Sequence, residues 1–195
     1  MKAFTPRRLL VLAGAAARPS RTLTVAESVS RHIAATGSRP ILRDLADESL
    51  PPLHTGDQPP DALADLRHQA AKADALVWVT PCYHGSYSGL LKTALDHLCE
   101  PDLKGKPVGL VAVGASLTAV QACDHLRSVA RALGCIAVPT HAVVTPPAMG
   151  TPDDTPGTDA ARITRMISEI HVLADATWQL RRDPTPIFAS SGAGP

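Results

Sequence analysis

Short apolar runs alternate with helical stretches along this chain, and that pattern constrains its fold more than any other feature. Five such runs occur, at residues 8–13, 39–45, 75–80, 106–114 and 135–144. Strands that alternate with helices in this way are typical of parallel βαβ units. The third run, ALVWVT, is apolar throughout, which indicates a strand covered on both faces. The sequence therefore predicts an α/β protein built on a parallel sheet.

The segments between the runs carry apolar residues at helical spacing. They predict helices at residues 22–36, 61–73, 90–99, 119–133 and 160–182. This order suggests a flavodoxin-like, doubly wound, five-stranded parallel sheet with strand order 2-1-3-4-5 and helices on both faces. The fifth run contains Pro139, which cannot donate a backbone hydrogen bond, so we expect this strand towards an edge of the sheet.

Length, composition and charge suit a globular cytoplasmic protein. At 195 residues we expect a single domain over residues 1–182, followed by a loose Pro-, Gly- and Ser-containing tail at 183–195. No apolar run is long enough to span a bilayer, and a net charge of +1 with scattered Lys and Arg indicates neither a nucleic-acid nor a membrane partner. The four cysteines lack metal-ligand spacing, so we expect free, buried thiols.

The N-terminal segment permits two interpretations. Residues 7–24 read RRLLVLAGAAARPSRTLT, and two arginines before a short apolar run resemble a secretory or twin-arginine signal peptide. The same residues also fit a buried strand, a small-residue turn and a helix start. Cleavage after the alanines would remove the first strand, which we expect near the centre of the sheet. We therefore favour the strand.

Three loops should meet outside the carboxyl ends of strands 1, 3 and 4, where doubly wound sheets bind their ligands. Loop 1 comprises residues 14–22, loop 2 residues 81–88 and loop 3 residues 114–118. All three are rich in Gly, Ser, Thr or other small residues, so backbone N–H groups can approach a ligand closely.

Loop 1 has the composition of an anion site. Ser20 and Thr22 lie at a helix start, with Arg18 and Arg21 beside them, and this combination favours a phosphate. An ordinary helix cap would also explain Ser20. The chain has no Walker A motif and no G-x-G-x-x-G fingerprint, which argues against a nucleotide triphosphatase or a dinucleotide-binding Rossmann domain.

Loop 2 places two tyrosines, Tyr83 and Tyr87, among small residues, which offers a flat apolar surface to a planar ligand. Packing within the protein is the alternative for such a pair. His84 alone is a weak candidate for a general base, and Cys82 has no cationic neighbour in the sequence that would activate a thiol. Spacing assembles no catalytic triad and no metal cluster, so we expect no catalytic side chain.

The most specific motif is P-x-Y-x-x-x-Y-S-G-x-L-K-T-x-L-D, at residues 81–96. With LAG and PSRTLT before it and LKGKPVGLVAVGAS after it, the chain resembles the NADPH-dependent FMN reductase family over about residues 8–144. The resemblance is greatest to the flavin reductases of alkanesulfonate and methanesulfonate monooxygenase systems. Family members often carry Ser and Arg where this chain has Ala15 and Ala17, a loss for which Arg18 would compensate.

The resemblance implies a flavodoxin-like fold with FMN held by the three loops. Loop 1 would hold the phosphate, loop 2 would line the isoalloxazine, and loop 3 would meet the polar edge of the ring. The cofactor-binding residues implied are Gly14, Arg18, Ser20, Arg21, Thr22, Pro81, Cys82, Tyr83, His84, Gly85, Ser86, Tyr87, Gly114, Ala115 and Ser116.

The activity implied is hydride transfer from NADPH or NADH to FMN, in which the protein orients the reactants and needs no side-chain acid or base. Substitution of His84, Cys82 or His125 alone should therefore not abolish NADPH oxidation. Reduced FMN would pass to a partner FMNH2-dependent monooxygenase. The alternatives are an FMN-retaining quinone or azo reductase, a non-enzymatic electron carrier, and a scaffold domain that binds no flavin.

The resemblance also implies a homodimer or homotetramer, built partly on the helix after YSG. Two apolar stripes run along that helix, one containing Leu91 and Leu95 and the other containing Leu90, Ala94 and His97. The second stripe fits either a subunit contact or a contact within the chain.

Overall fold

The computed structural model describes residues 5–48, 50–53, 61–145 and 157–182. The strands are β1 (Arg8–Ala13), β2 (Arg39–Asp44), β3 (Ala75–Pro81), β4 (Pro107–Val113), β5 (Ile136–Ala137) and β6 (Ala142–Val144). The helices are α1 (Arg21–Ala35), α2 (Asp61–Lys72), α3 (Gly89–Asp96), α4 (Glu100–Leu103), α5 (Val120–Ala132) and α6 (Gly157–Arg182). The tail predicted at 183–195 lies outside the described residues.

All strand pairs are parallel, and the order is β2-β1-β3-β4-β5, with β6 also paired to β4. The predicted doubly wound, flavodoxin-like sheet is therefore confirmed. Residues 8–13 form a strand that pairs with β2 on one side and β3 on the other, as the strand interpretation of the N-terminal segment required.

Helices cover both faces of the sheet because side chains alternate along each strand. Leu10 and Leu12 of β1 belong to the core beneath α2, α3 and α5, whereas Leu9 and Val11 belong to the core beneath α1 and α6. Every residue of β3 is buried, as its continuous apolar sequence predicts. One apolar face of α6 is buried too; it comprises Ile163, Ile167, Ile170 and Ala174.

The fifth strand differs from the prediction because it is split in two. Val138 still donates its N–H to Val108 O at 3.0 Å, but the chain then leaves the sheet at Pro139 and returns at Ala142. Proline has no N–H to continue the ladder, which explains the break. Both parts pair with β4 alone, so the predicted edge position is confirmed.

The second stripe of α3 is covered by this chain itself. Ala94 and His97 are buried, and the His97 ring Nε2 lies 2.7 Å from Pro51 O. Arg67 of α2 donates to His97 O at 2.7 Å, where the helix ends. These contacts favour the explanation within the chain over a subunit contact for this stripe.

The cysteines are free, but only two are fully buried. Burial raises the pKa values of Cys123 and Cys135 to about 12. Cys82 is half-buried and Cys99 is exposed, so the expectation of four buried thiols was wrong. Cys99 is exposed because α3 ends at Asp96 and a new helix begins at Glu100, with Pro101 in its first turn.

Candidate functional site

Loop 1 leaves the carboxyl end of β1 and enters α1. Gly14 N donates to Val79 O of β3 at 2.8 Å, which fixes the start of the loop. A Cβ atom on Gly14 would lie 2.7 Å from Leu91 Cβ, so only glycine allows this approach to α3. Ser20 is the N-cap of α1, and its Oγ accepts from Leu23 N at 3.1 Å. Both explanations offered for Ser20 are compatible with this geometry, since one cap bond leaves other first-turn N–H groups without a helical partner.

The two arginines of loop 1 occupy different surroundings. Arg18 Nη2 donates to Asp44 Oδ2 at 2.8 Å and to Asp47 Oδ1 at 2.7 Å. The hydrogen bond from Arg18 to Asp47 is the largest of the effects that raise the pKa of Arg18. Arg21 is exposed at the first residue of α1 and, among the residues that the structure describes, pairs with no carboxylate. Arg21 is therefore the arginine best placed to receive an anion at the helix start.

Loop 2 begins with a tight hairpin. Tyr83 and Ser86 exchange backbone hydrogen bonds of 2.9 and 3.0 Å. Between them, His84 and Gly85 have φ values of 51° and 76°, the positive pair that defines a type I′ turn. The hairpin leaves Tyr83 50% exposed. An aromatic ring therefore stands open to a planar ligand beside the backbone of the turn.

Ser88 joins loop 2 to loop 1 by hydrogen bonds. It is not among the site residues predicted from the sequence. Ser88 Oγ donates to Gly14 O and accepts from Leu91 N at 3.1 Å, as the N-cap of α3. Ser88 N donates to the buried Thr80 Oγ1 at 3.0 Å. The serine before Gly89 is a recognisable cap signal, but its bond to a residue 74 positions away depends on the tertiary fold.

Loop 3 packs closely against loop 2. Gly114 N donates to Val144 O at 3.1 Å. A Cβ atom on Gly114 would lie 2.6 Å from Ala119 Cβ and 3.5 Å from Cys82 Cβ. Ala115 and Ser116 follow on the exposed side, so loop 3 presents backbone and hydroxyl groups rather than large side chains.

Helix α5 supports the hairpin of loop 2. Ser86 Oγ and His125 Nδ1 lie 2.9 Å apart. A Cβ atom on Gly85 would lie 2.8 Å from Gln121 Oε1, so the turn rests directly on the helix. These contacts place His125 in a supporting position behind the loop.

The predicted site residues thus all lie at the carboxyl edge of β1, β3 and β4. Most are in the three loops, while Pro81 ends β3 and Arg21 and Thr22 begin α1. Several of them are exposed, namely Arg18, Arg21, Tyr83, His84, Ala115 and Ser116. Thr22 and Pro81 are buried, and Tyr87 is half-buried against the core beneath α3. The donors at this edge are backbone N–H groups, hydroxyls and Arg21, which pairs with no carboxylate of the described residues, and this set suits a phosphate and a planar ring. In the described part of the chain no cluster of three or more His, Cys, Asp or Glu residues could hold a metal ion.

Fold and loops together define a flavodoxin-like protein whose candidate cofactor site lies at the topological switch point of its sheet. The model of the family described as NADPH-dependent FMN reductase matches residues 7–149, and the chain belongs to that family. It is accordingly an NAD(P)H:FMN oxidoreductase whose cofactors are FMN and NADPH. Within the described residues, no helix is both long and apolar enough to cross a membrane.

Known proteins resemble this chain in sequence or in fold. An FMN-dependent NADPH-azoreductase of Staphylococcus aureus is 37% identical over 137 residues, which cover 67% of this chain and 73% of the relative. The structure of an NADH:FMN oxidoreductase (EMOB) in its apo form matches with a TM-score of 0.70 at 28% identity and covers 85% of this chain and 89% of that chain. FerB, a flavoenzyme NAD(P)H:(acceptor) oxidoreductase from Paracoccus denitrificans, shares the fold, with a TM-score of 0.67 at 18% identity and coverage of 89% and 98%.

Proposed function

We propose that residues 1–182 form one FMN-binding domain and that the three loops hold FMN while NADPH reduces it. The observation that carries this proposal is the Ser88 connection. By bonding loop 1 and loop 2 to each other, it fixes a helix start and an open aromatic hairpin at one edge of the sheet. Preorganised loops of this kind lower the entropy cost of binding a cofactor.

The start of α1 would hold the phosphate of FMN. Here Ser20 supplies a hydroxyl, and Arg21 supplies a positive charge that the described residues leave without a carboxylate partner. Thr22 is buried, so its contribution would be the backbone N–H of the first turn. The helix dipole adds to the attraction, because its positive end points out of the first turn. Ala15 and Ala17 offer no polar side chain to a phosphate, so Arg21 and the backbone carry the recognition.

Loops 2 and 3 would hold the isoalloxazine. Residues 81–87 present the edge of the hairpin and the exposed Tyr83 ring, and residues 114–116 present small groups whose N–H donors can meet the polar edge of the flavin. FMN supplies the hydride-accepting chemistry when it is bound. The residues of this chain orient the two reactants, limit the access of water and stabilise negative charge with backbone N–H groups.

No side-chain acid or base is part of this mechanism. His84 is exposed in a turn, and His125 is engaged with Ser86. We therefore expect that His84→Ala and His125→Ala retain NADPH oxidation within about tenfold of the wild-type rate, less than the ~100-fold or more that a general acid or base contributes. A complete loss in a folded variant would contradict the mechanism.

Reduced FMN would then pass to a partner FMNH2-dependent monooxygenase, and the enzyme would act as a cytoplasmic homodimer or homotetramer. A second candidate function is supported by the relatives, since the Staphylococcus aureus protein is named an azoreductase. In that case FMN stays bound and passes its electrons to an azo compound or a quinone.

The two candidates differ in what happens to FMN during turnover. We would load the protein with FMN, remove unbound flavin, and follow NADPH oxidation with excess FMN or with an azo dye as the acceptor. A flavin reductase turns over when FMN is in excess. With the protein held behind a dialysis membrane, its reduced FMN crosses the membrane, and the dye is reduced only by that free flavin. An azoreductase reduces the dye without added FMN and keeps its flavin inside the membrane.

A further inference from the structure

The exposed middle of loop 1, residues 16–19, is anchored to the turn after β2 by the side chain of Arg18. The loop's ends are fixed, since Gly14 bonds to Val79 and Ser88, and Ser20 caps α1. Within the described ranges, the hydrogen bonds that join residues 16–19 to another element all come from the Arg18 side chain. The position of this segment therefore depends on that guanidinium.

The acceptors of Arg18 lie on a firmly held turn. Asp44 ends β2, and its Oδ1 accepts from Ala46 N at 3.1 Å. Leu45, the next residue, is 0% exposed within the core. A second arginine, Arg43, joins the same turn to Asp65 of α2. Loop 1 is thus tied to a part of the fold that has its own supports.

The same pairing makes Arg18 a poor ligand for a phosphate. Its Nη2 is shared between two carboxylates, at 2.8 Å from Asp44 and 2.7 Å from Asp47. A phosphate on this guanidinium would bring a third negative group beside those two, which like charges oppose. Arg21 has no such competitor among the described residues.

We propose that Arg18 is a positioning residue that ties loop 1 to the turn after β2, and that it does not bind the FMN phosphate directly. The proposal rests on the function proposed above, because it assigns roles within the same FMN site. It also separates Arg18 from Arg21, which remains the phosphate-binding arginine.

Arg18→Met and Asp47→Asn test the proposal, because a positioning residue and a phosphate ligand respond to these substitutions differently. Asp47 is 75% exposed, so its replacement leaves the core intact. We would measure the Kd of FMN for the flavin-stripped protein by quenching of flavin fluorescence. Glu27→Gln is the control for charge, since it removes one exposed carboxylate from α1, and among the described residues Glu27 forms no ion pair with loop 1. A purely global loss of stability would leave the Kd of the folded protein unchanged at temperatures well below unfolding.

If Arg18 is a positioning residue, both variants weaken FMN binding by about twofold to fivefold. That loss is the upper range of what an exposed ion pair contributes. The double variant Arg18→Met/Asp47→Asn then binds FMN no more weakly than Arg18→Met alone, because Arg18→Met already removes the bonds to both carboxylates. If Asp47→Asn instead tightens FMN binding beyond the effect of Glu27→Gln while Arg18→Met weakens it, Arg18 is a phosphate ligand and the proposal is wrong. Unchanged affinity in both single variants, or additive losses in the double variant, also refute it. Failure of the wild-type protein to bind FMN would refute the proposed function itself.

Discussion

Replacing Gly14 with alanine should disturb both the stability of the fold and the candidate site. The new Cβ would lie 2.7 Å from Leu91 Cβ and 3.1 Å from Ser88 Oγ. Both neighbours are buried, and Leu91 Cβ cannot move without moving α3. Overpacking of this kind costs about 1–3 kcal/mol. Displacement of Ser88 would also weaken its bond to Gly14 O, worth about 1 kcal/mol.

These costs predict a measurable fall in thermal stability. The two costs together come to about 2–4 kcal/mol. For a protein of this size, each kcal/mol corresponds to about 2–4 °C in Tm, so Gly14→Ala should lower Tm by roughly 4–16 °C. FMN binding should weaken too, because loops 1 and 2 separate. The matched control is Gly89→Ala, where a new Cβ has no atom within 4 Å. That variant should match the wild type or gain up to about 1 kcal/mol, since alanine restricts the unfolded chain.

Differential scanning calorimetry and a flavin-binding titration would measure the two effects on the same samples. The reasoning is refuted if Gly14→Ala has the same Tm and the same FMN affinity as Gly89→Ala. Loops 1 and 2 would then not be in the close contact from which the cost was worked out.

Two further predictions concern thiols and a carboxylate. A chromogenic disulfide reagent should modify the exposed Cys99 in the native protein and reach Cys123 and Cys135 only on unfolding, since burial raises their pKa values to about 12; modification of all three at one rate would contradict this. Burial opposes ionisation of Glu169, but hydrogen bonds from Thr140 prevail and lower the pKa of Glu169 below its ordinary value. The ionised Glu169 side chain therefore stabilises the fold fully above the unfolded-state pKa of about 4.3. That stabilisation is lost as the pH falls through the lower, folded-state pKa. The Tm advantage of the wild type over Glu169→Gln should shrink below about pH 4, and an advantage that grows there would refute the assignment.

The sheet was predictable from sequence because its strands are continuous apolar runs. β1 begins and ends where the pattern placed it, and β3 is buried along its whole length. The split of the fifth strand was harder to predict. One proline in an apolar run indicates an edge position but does not show where pairing with the neighbouring strand resumes. The sequence predicts that this helix runs to residue 99, because its apolar residues continue to Leu98. In the structure α3 ends at Asp96 and a new helix begins at Glu100.

The location of the candidate site was predictable, but its internal connections were not. Strand order alone brings loops 1, 2 and 3 to one edge of the sheet. The bond from Ser88 to Gly14 joins residues far apart in sequence. The pairing of Arg18 with Asp47 likewise depends on the turn after β2, to which no local signal in loop 1 points. Local patterns determine which element a residue occupies, whereas the contacts between loops depend on the assembled fold.

NADPH oxidation by the flavin-stripped protein, measured with and without added FMN, tests the central claim most directly. The account predicts negligible oxidation without FMN and a rate that rises with FMN and saturates. The variants Arg21→Met and Gly14→Ala should need more FMN to reach half of that rate. An oxidation rate that does not depend on FMN, or a protein that neither binds FMN nor oxidises NADPH, would contradict the assignment of the three loops as a flavin site.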